Sequence, residues 1–90
     1  MSDGETAPRL KRLRIRSWRR GTKEMDLILG PFADTALAGL AEAELTLFEA
    51  LLEENDHDLY RWISGLEAPP ARFAALVATI RAALPPAPPG

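Results

Sequence analysis

The sequence predicts an all-α domain, a small single-domain bundle of about five helices. Three observations predict it. Apolar residues recur at three- and four-residue steps through almost the whole chain, the spacing of one helix face. No stretch shows the β-branched alternation of a half-buried strand. Ninety residues are enough for one hydrophobic core and too few for two.

In chain order, residues 1–8 read as a flexible N-terminus, residues 9–84 as the bundle and residues 85–90 as a Pro-rich flexible tail. "PRLKRLRIRSWRR" is a first helix, with Pro8 tolerated in its first turn and Gly21 as its end or kink. "TKEMDLILGPF" resumes the helical spacing, with Thr22 as a cap and Met25, Ile28, Leu29 and Phe32 as its apolar stripe. Gly30 and Pro31 should end or kink this second helix, and the small-residue segment 30–39 after it has no clear pattern. "AELTLFEALLEEN" is a third helix burying Leu45, Phe48, Leu51 and Leu52. Ala41 in front of it supplies no capping side chain, which predicts a frayed or shifted start. Asn55 reads as its left-handed stop and Asp56 as the cap of the next helix, with Asp58 in the positive first turn. "DLYRWIS" buries Leu59, Trp62 and Ile63 before Gly65 closes it. Pro69 and Pro70 then lead rigidly into "ARFAALVATIRAAL", whose Phe73, Leu76, Val77, Ile80 and Leu84 share one face.

The absence of cysteine removes disulfides, thiolate nucleophiles and Cys-based metal sites, and fits a reducing compartment. No apolar run approaches the roughly 20 residues of a membrane-spanning helix, and no apolar core of a secretory signal follows the basic start. A soluble, cytoplasmic protein is expected. A net charge of -2 conceals an asymmetry: residues 1–24 carry eight Lys/Arg against three acids, and residues 25–90 three Arg against ten acids. The two regions should attract one another.

Catalysis finds little support. His57 is the single histidine, and there is no phosphate-binding glycine loop, no serine elbow and no metal-spaced histidine pair. The "DHD" around it is read as a cap followed by a first-turn acid. Glu53, Glu54, Asp56 and Asp58 read as a solvated acidic run. Trp62 and Tyr60 are assigned to the core, and Trp18 to either the core or an exposed anchor. Arg9, Arg12, Arg16, Arg19 and Lys23 recur in one row that could track phosphates, so a small helical nucleic-acid-binding or regulatory protein is the alternative function. The acidic remainder of the chain opposes it.

The stretch "RRGTKEMD" puts a glycine where the pattern reads helix. Such a glycine costs about 0.5–1 kcal/mol relative to alanine, whereas an exposed Arg20–Glu24 pair in this order contributes at most roughly 0.3 kcal/mol. Stability alone does not justify it. Gly21 is therefore a left-handed helix terminus, a notch for close approach by another molecule, or both. A break here places Arg20 and Glu24 on a corner.

"RGTKE", from Arg20 to Glu24, matches the Arg-Gly-x-x-Glu motif of the SdhE-like succinate dehydrogenase flavinylation factors, also called FAD assembly factors. "LRIRSWRRGTKEMDLILGPF" and "LFEALLEENDHDLYRWISG" resemble the two halves of that family, and the likeness covers roughly residues 10 to 82. The resemblance implies a five-helix bundle that is not an enzyme and holds no cofactor tightly. It implies binding to the flavoprotein subunit of succinate dehydrogenase, in some cases of fumarate reductase, and promotion of covalent FAD attachment to a histidine of that subunit. Carried over by position, Arg20, Gly21 and Glu24 form the central contact, with Asp26 nearby and Arg19 beside them. A monomer that neither binds nucleic acid nor inserts into a membrane is expected.

Overall fold

Helical periodicity resolves into five α-helices in the computed structural model, which describes residues 2–84, with side chains from Pro8 onward. They are α1 (Ser2–Trp18), α2 (Lys23–Ala36), α3 (Glu42–Leu51), α4 (Asp56–Ser64) and α5 (Ala74–Ala83), and no strand occurs among the described residues. The Pro-rich segment 85–90 lies outside them.

The first helix begins six residues before Pro8 and absorbs most of the segment expected to be a flexible terminus. Pro8 lies inside it and forfeits a single backbone bond. From Pro8 onward its buried residues are Leu13 and Ser17, and the Ser17 hydroxyl donates to the Leu13 carbonyl at 2.7 Å. The core is aliphatic and aromatic. Phe32 of α2 meets Phe48 of α3 with ring centroids 5.8 Å apart, and Trp62 of α4 meets Phe73 at 6.0 Å. Helix α2 is the central element, packing against α1, α4 and α5.

Gly30 and Pro31 do not end α2, which runs on to Ala36 and only then tightens into a 3-10 turn at Leu37–Gly39. Tertiary packing overrides the local preference here. Gly30 is buried beneath the Trp18 indole, so close that a Cβ would lie 2.3 Å from the ring. Trp18 thus belongs to the α1–α2 seam although 39% exposed, and its Nε1 donates to Asp34 at 3.1 Å. One turn beyond Gly30, the Thr35 hydroxyl donates to the Pro31 carbonyl at 2.9 Å.

Helix α3 starts cleanly without a capping hydroxyl, because the Glu44 carboxylate reaches back to accept from the Ala41 amide at 2.9 Å. That is half of a capping box. At the α3–α4 junction the cap sits one residue earlier than expected: Asn55 is extended at φ −77° and accepts from the Asp58 amide at 2.9 Å. Asp56 is thereby freed for another task. Replacing the cap, Asn55→Ala, is expected to cost about 1 kcal/mol and to lower Tm by roughly 4–8 °C in a thermal melt; an unchanged melt would assign the helix start to packing alone. Helix α4 closes at Gly65, left-handed at φ 86°, with the Leu66 amide donating back to Arg61 at 2.9 Å.

The charge asymmetry becomes contact between α1 and the segment formed by α3 and the turn after it. Arg9 pairs with Glu42 and, at 3.3 Å, with Glu49, and Arg16 pairs with Glu53 at 2.5 Å. Hydrogen bonding to Glu42 holds the Arg9 guanidinium still more firmly protonated than usual. These pairs are exposed to differing degrees and orient α1 more than they stabilise it.

Candidate functional site

The chain turns between α1 and α2 at residues 19–22, and each residue of that corner has a distinct role. Gly21 is left-handed at φ +103°, a conformation that side chains resist. It is exposed, with nothing within 4 Å of where a Cβ would stand, so the notch is open to a visitor and not packed in the core. Thr22 caps α2 through its hydroxyl, which accepts from the Met25 amide at 3.4 Å. Asp26 accepts from the Arg20 amide at 2.6 Å and ties the corner to the first turn of α2.

Arg20 does not project from the corner, and it does not pair with Glu24. Its side chain is 11% exposed and crosses to the α3–α4 junction. There Nε donates to Asp56 at 2.9 Å, one terminal nitrogen to the Leu52 carbonyl at 2.5 Å and the other to the Glu54 carbonyl at 2.7 Å. The reason is physical: the carbonyls of Leu52, at the end of α3, and of Glu54, in the junction after it, have no helical partner, and a planar five-donor fork can satisfy both while meeting a carboxylate. Arg19, Lys23 and Glu24 are the exposed charges of the corner.

An open cleft of about 260 Å³ lies beside the notch, lined by Thr22, Glu24 and Met25 from one side and Asp56, His57 and Tyr60 from the other. Met25, 1% exposed, is its apolar floor. Tyr60, assigned to the core by its spacing, is 44% exposed at the rim. The corner residues expected from the sequence are therefore together, but with Arg20 behind the surface. Asp56, His57 and Tyr60 are the part that residue-by-residue reading missed. The available signal was Asn55, a sufficient cap by itself, which left Asp56 without a local duty.

The row of cations on α1 is partly spent internally. Arg9 is engaged with α3 and Arg16 with the turn after it, leaving Arg12, Arg19 and Lys23 of the row without an ion pair among the described residues. Among the described residues no acidic or histidine group is arranged to hold a metal ion, and no helix is long and apolar enough to cross a membrane.

The family described as "Flavinator of succinate dehydrogenase" matches residues 11–84. The chain is 42% identical over 74 residues to the FAD assembly factor SdhE of Xylella fastidiosa (strain 9a5c), covering 81% of this chain and 75% of that protein. It is 40% identical over 63 residues to the FAD assembly factor SdhE of Legionella pneumophila (strain Lens), covering 70% of this chain and 80% of that protein. With the mitochondrial succinate dehydrogenase assembly factor 2 of Mycosarcoma maydis it shares 41% identity over 66 residues, which are 73% of this chain but only 28% of that protein. No solved structure matches the chain significantly.

Proposed function

This chain belongs to the family of flavinators of succinate dehydrogenase, and on that premise we propose that it is an FAD assembly factor which docks on the flavoprotein subunit of succinate dehydrogenase through the α1–α2 corner. It promotes covalent attachment of FAD to a histidine of that subunit, and it can serve fumarate reductase in the same way. The observation that carries the docking site is the open, left-handed Gly21 beside the cleft. Gly21 admits the partner's backbone, Arg19 and Glu24 supply exposed charges of both signs, and Asp26 and Arg20 hold the corner in shape.

The chain performs no bond-making step itself. The attacking histidine and the flavin both belong to the flavoprotein, so His57 need not be a nucleophile. The factor binds the flavoprotein conformation in which that histidine is aligned with the reactive carbon of the flavin, and so raises the population of the near-attack state. It holds no cofactor tightly, acts as a monomer, and works in the cytoplasm on a client that is not yet membrane-assembled.

Gly21→Arg tests the site. The backbone there costs a side chain about 1–2 kcal/mol, while the open surroundings spare it any clash, so the variant is expected to keep the helical circular dichroism of the parent. Co-expressed flavoprotein should then lack in-gel fluorescence of covalent FAD. Undiminished covalent FAD would reject the corner as the docking site. Gly21→Ala carries the same strain without the bulk and is expected to retain most of the activity.

A further inference from the structure

The geometry around Arg20 points to a two-part docking surface: we infer that the first turns of α4, presenting His57 and Tyr60, bind the client together with the Gly21 corner, and that Arg20 is a positioning residue linking the two parts. The inference rests on the reading of the corner as the docking site. It goes beyond that reading in extending the role of the arginine to α4 and in adding two side chains from the other half of the chain.

Most of the guanidinium is already engaged within the fold, each of its nitrogens donating one hydrogen bond. Three of its nitrogens are committed, to Asp56 and to the carbonyls of Leu52 and Glu54, and only 11% of the side chain meets solvent. Each bond ends on the α3–α4 junction, so what Arg20 controls is where α4 begins. Asp56, its carboxylate partner, is the first residue of α4 and only 18% exposed in its side chain. His57 follows it directly, and Tyr60 lies one turn further along the same helix.

Across the cleft stand Thr22 and Glu24, so the surface has one wall from each half of the chain and the buried Met25 between them. A tyrosine rim that is 44% exposed over an apolar floor is the composition of a protein-binding anchor, where aromatic side chains supply contact area at little entropic cost. Nothing else in the fold requires Tyr60 to stay at the surface: it makes no hydrogen bond among the described residues. A direct arginine contact as the main anchor would have to draw the side chain, 11% exposed, away from the junction that it bonds.

A double-mutant cycle on client binding decides between the two arrangements. Tyr60→Ala, an exposed change, is expected to weaken binding of the purified flavoprotein about tenfold. Arg20→Lys, which keeps the charge but loses the planar fork, should weaken it about as much in the parent, and by less than about twofold in the His57→Ala/Tyr60→Ala background, because positioning matters only while the positioned groups exist. Val77→Ala, in the core away from the cleft, controls for lost stability and should bind as the parent does. Losses for Arg20→Lys that are equal in both backgrounds would mean that Arg20 touches the client itself, and would overturn the inference. A second arm needs no client: amide resonances of residues 56–60 should move in Arg20→Lys while those of α5 stay. If they do not move, Arg20 positions nothing. A parent protein that fails to bind the flavoprotein rejects the docking reading, and this second arm still decides the role of Arg20.

Discussion

Gly30→Val should be among the most damaging single substitutions in the domain, costing about 2–3 kcal/mol by forcing bulk into a closed contact and lowering Tm by roughly 8–20 °C. Valine would drive its Cβ to 2.3–2.6 Å from the six-membered half of the Trp18 indole. No overlap of that depth survives, so Trp18 must leave the seam and give up its bond to Asp34. The same geometry predicts a reversal. In a Trp18→Ala background the obstruction is gone, and Gly30→Ala should then stabilise the protein by about 0.5–1 kcal/mol, the ordinary helix preference of alanine over glycine. Thermal melts of the four proteins check both statements. Destabilisation by Gly30→Ala that persisted without the indole would mean that something other than Trp18 excludes the side chain.

Arg20→Ala should cost about 3 kcal/mol. Removing one member of a fully buried ion pair costs roughly 3–5 kcal/mol, and water can partly rehydrate Asp56, whose side chain is 18% exposed. The loss exceeds that of an ordinary surface pair, at most about 1 kcal/mol, because the carbonyls of Leu52 and Glu54 lose their donor as well. At roughly 4–8 °C per kcal/mol the melt should fall by about 12–24 °C. By contrast Glu24→Ala should cost at most about 1 kcal/mol, the value of an acid in the first turn of α2, since Glu24 is exposed and makes no hydrogen bond or ion pair among the described residues. Equal melts for Arg20→Ala and Glu24→Ala would show that the fork contributes nothing to the fold.

Much of the helical framework was legible from periodicity, because an amphipathic stripe and its boundary residues lie within one local window. Thr22 and Gly65 do what their residue types suggest, and Leu45, Phe48, Leu51, Leu59, Trp62 and Ile63 are buried as their spacing requires. The failures share a different cause. Pro31 and Gly30 look like a helix end in isolation, and only Trp18, twelve residues earlier and on another helix, explains why a glycine there prolongs α2. Asn55 and Asp56 are both good caps, and local chemistry does not choose between them; Arg20, 36 residues away, does so by claiming the second. Tyr60 has the spacing of a core residue, yet the core at that level is already filled by Leu59 and Ile63. At the candidate site the notch was legible, because a left-handed glycine is a backbone property. The second wall was not, since a cleft between two helices exists only after they meet.

The long reach of Arg20 also sets a timetable. A ribosome delivers the corner well before it delivers Asp56, and until that residue and the carbonyls just upstream have cleared the exit tunnel the arginine has nothing to hold. Arg20 thus takes its place late in synthesis, once both halves of the molecule are free to close on each other.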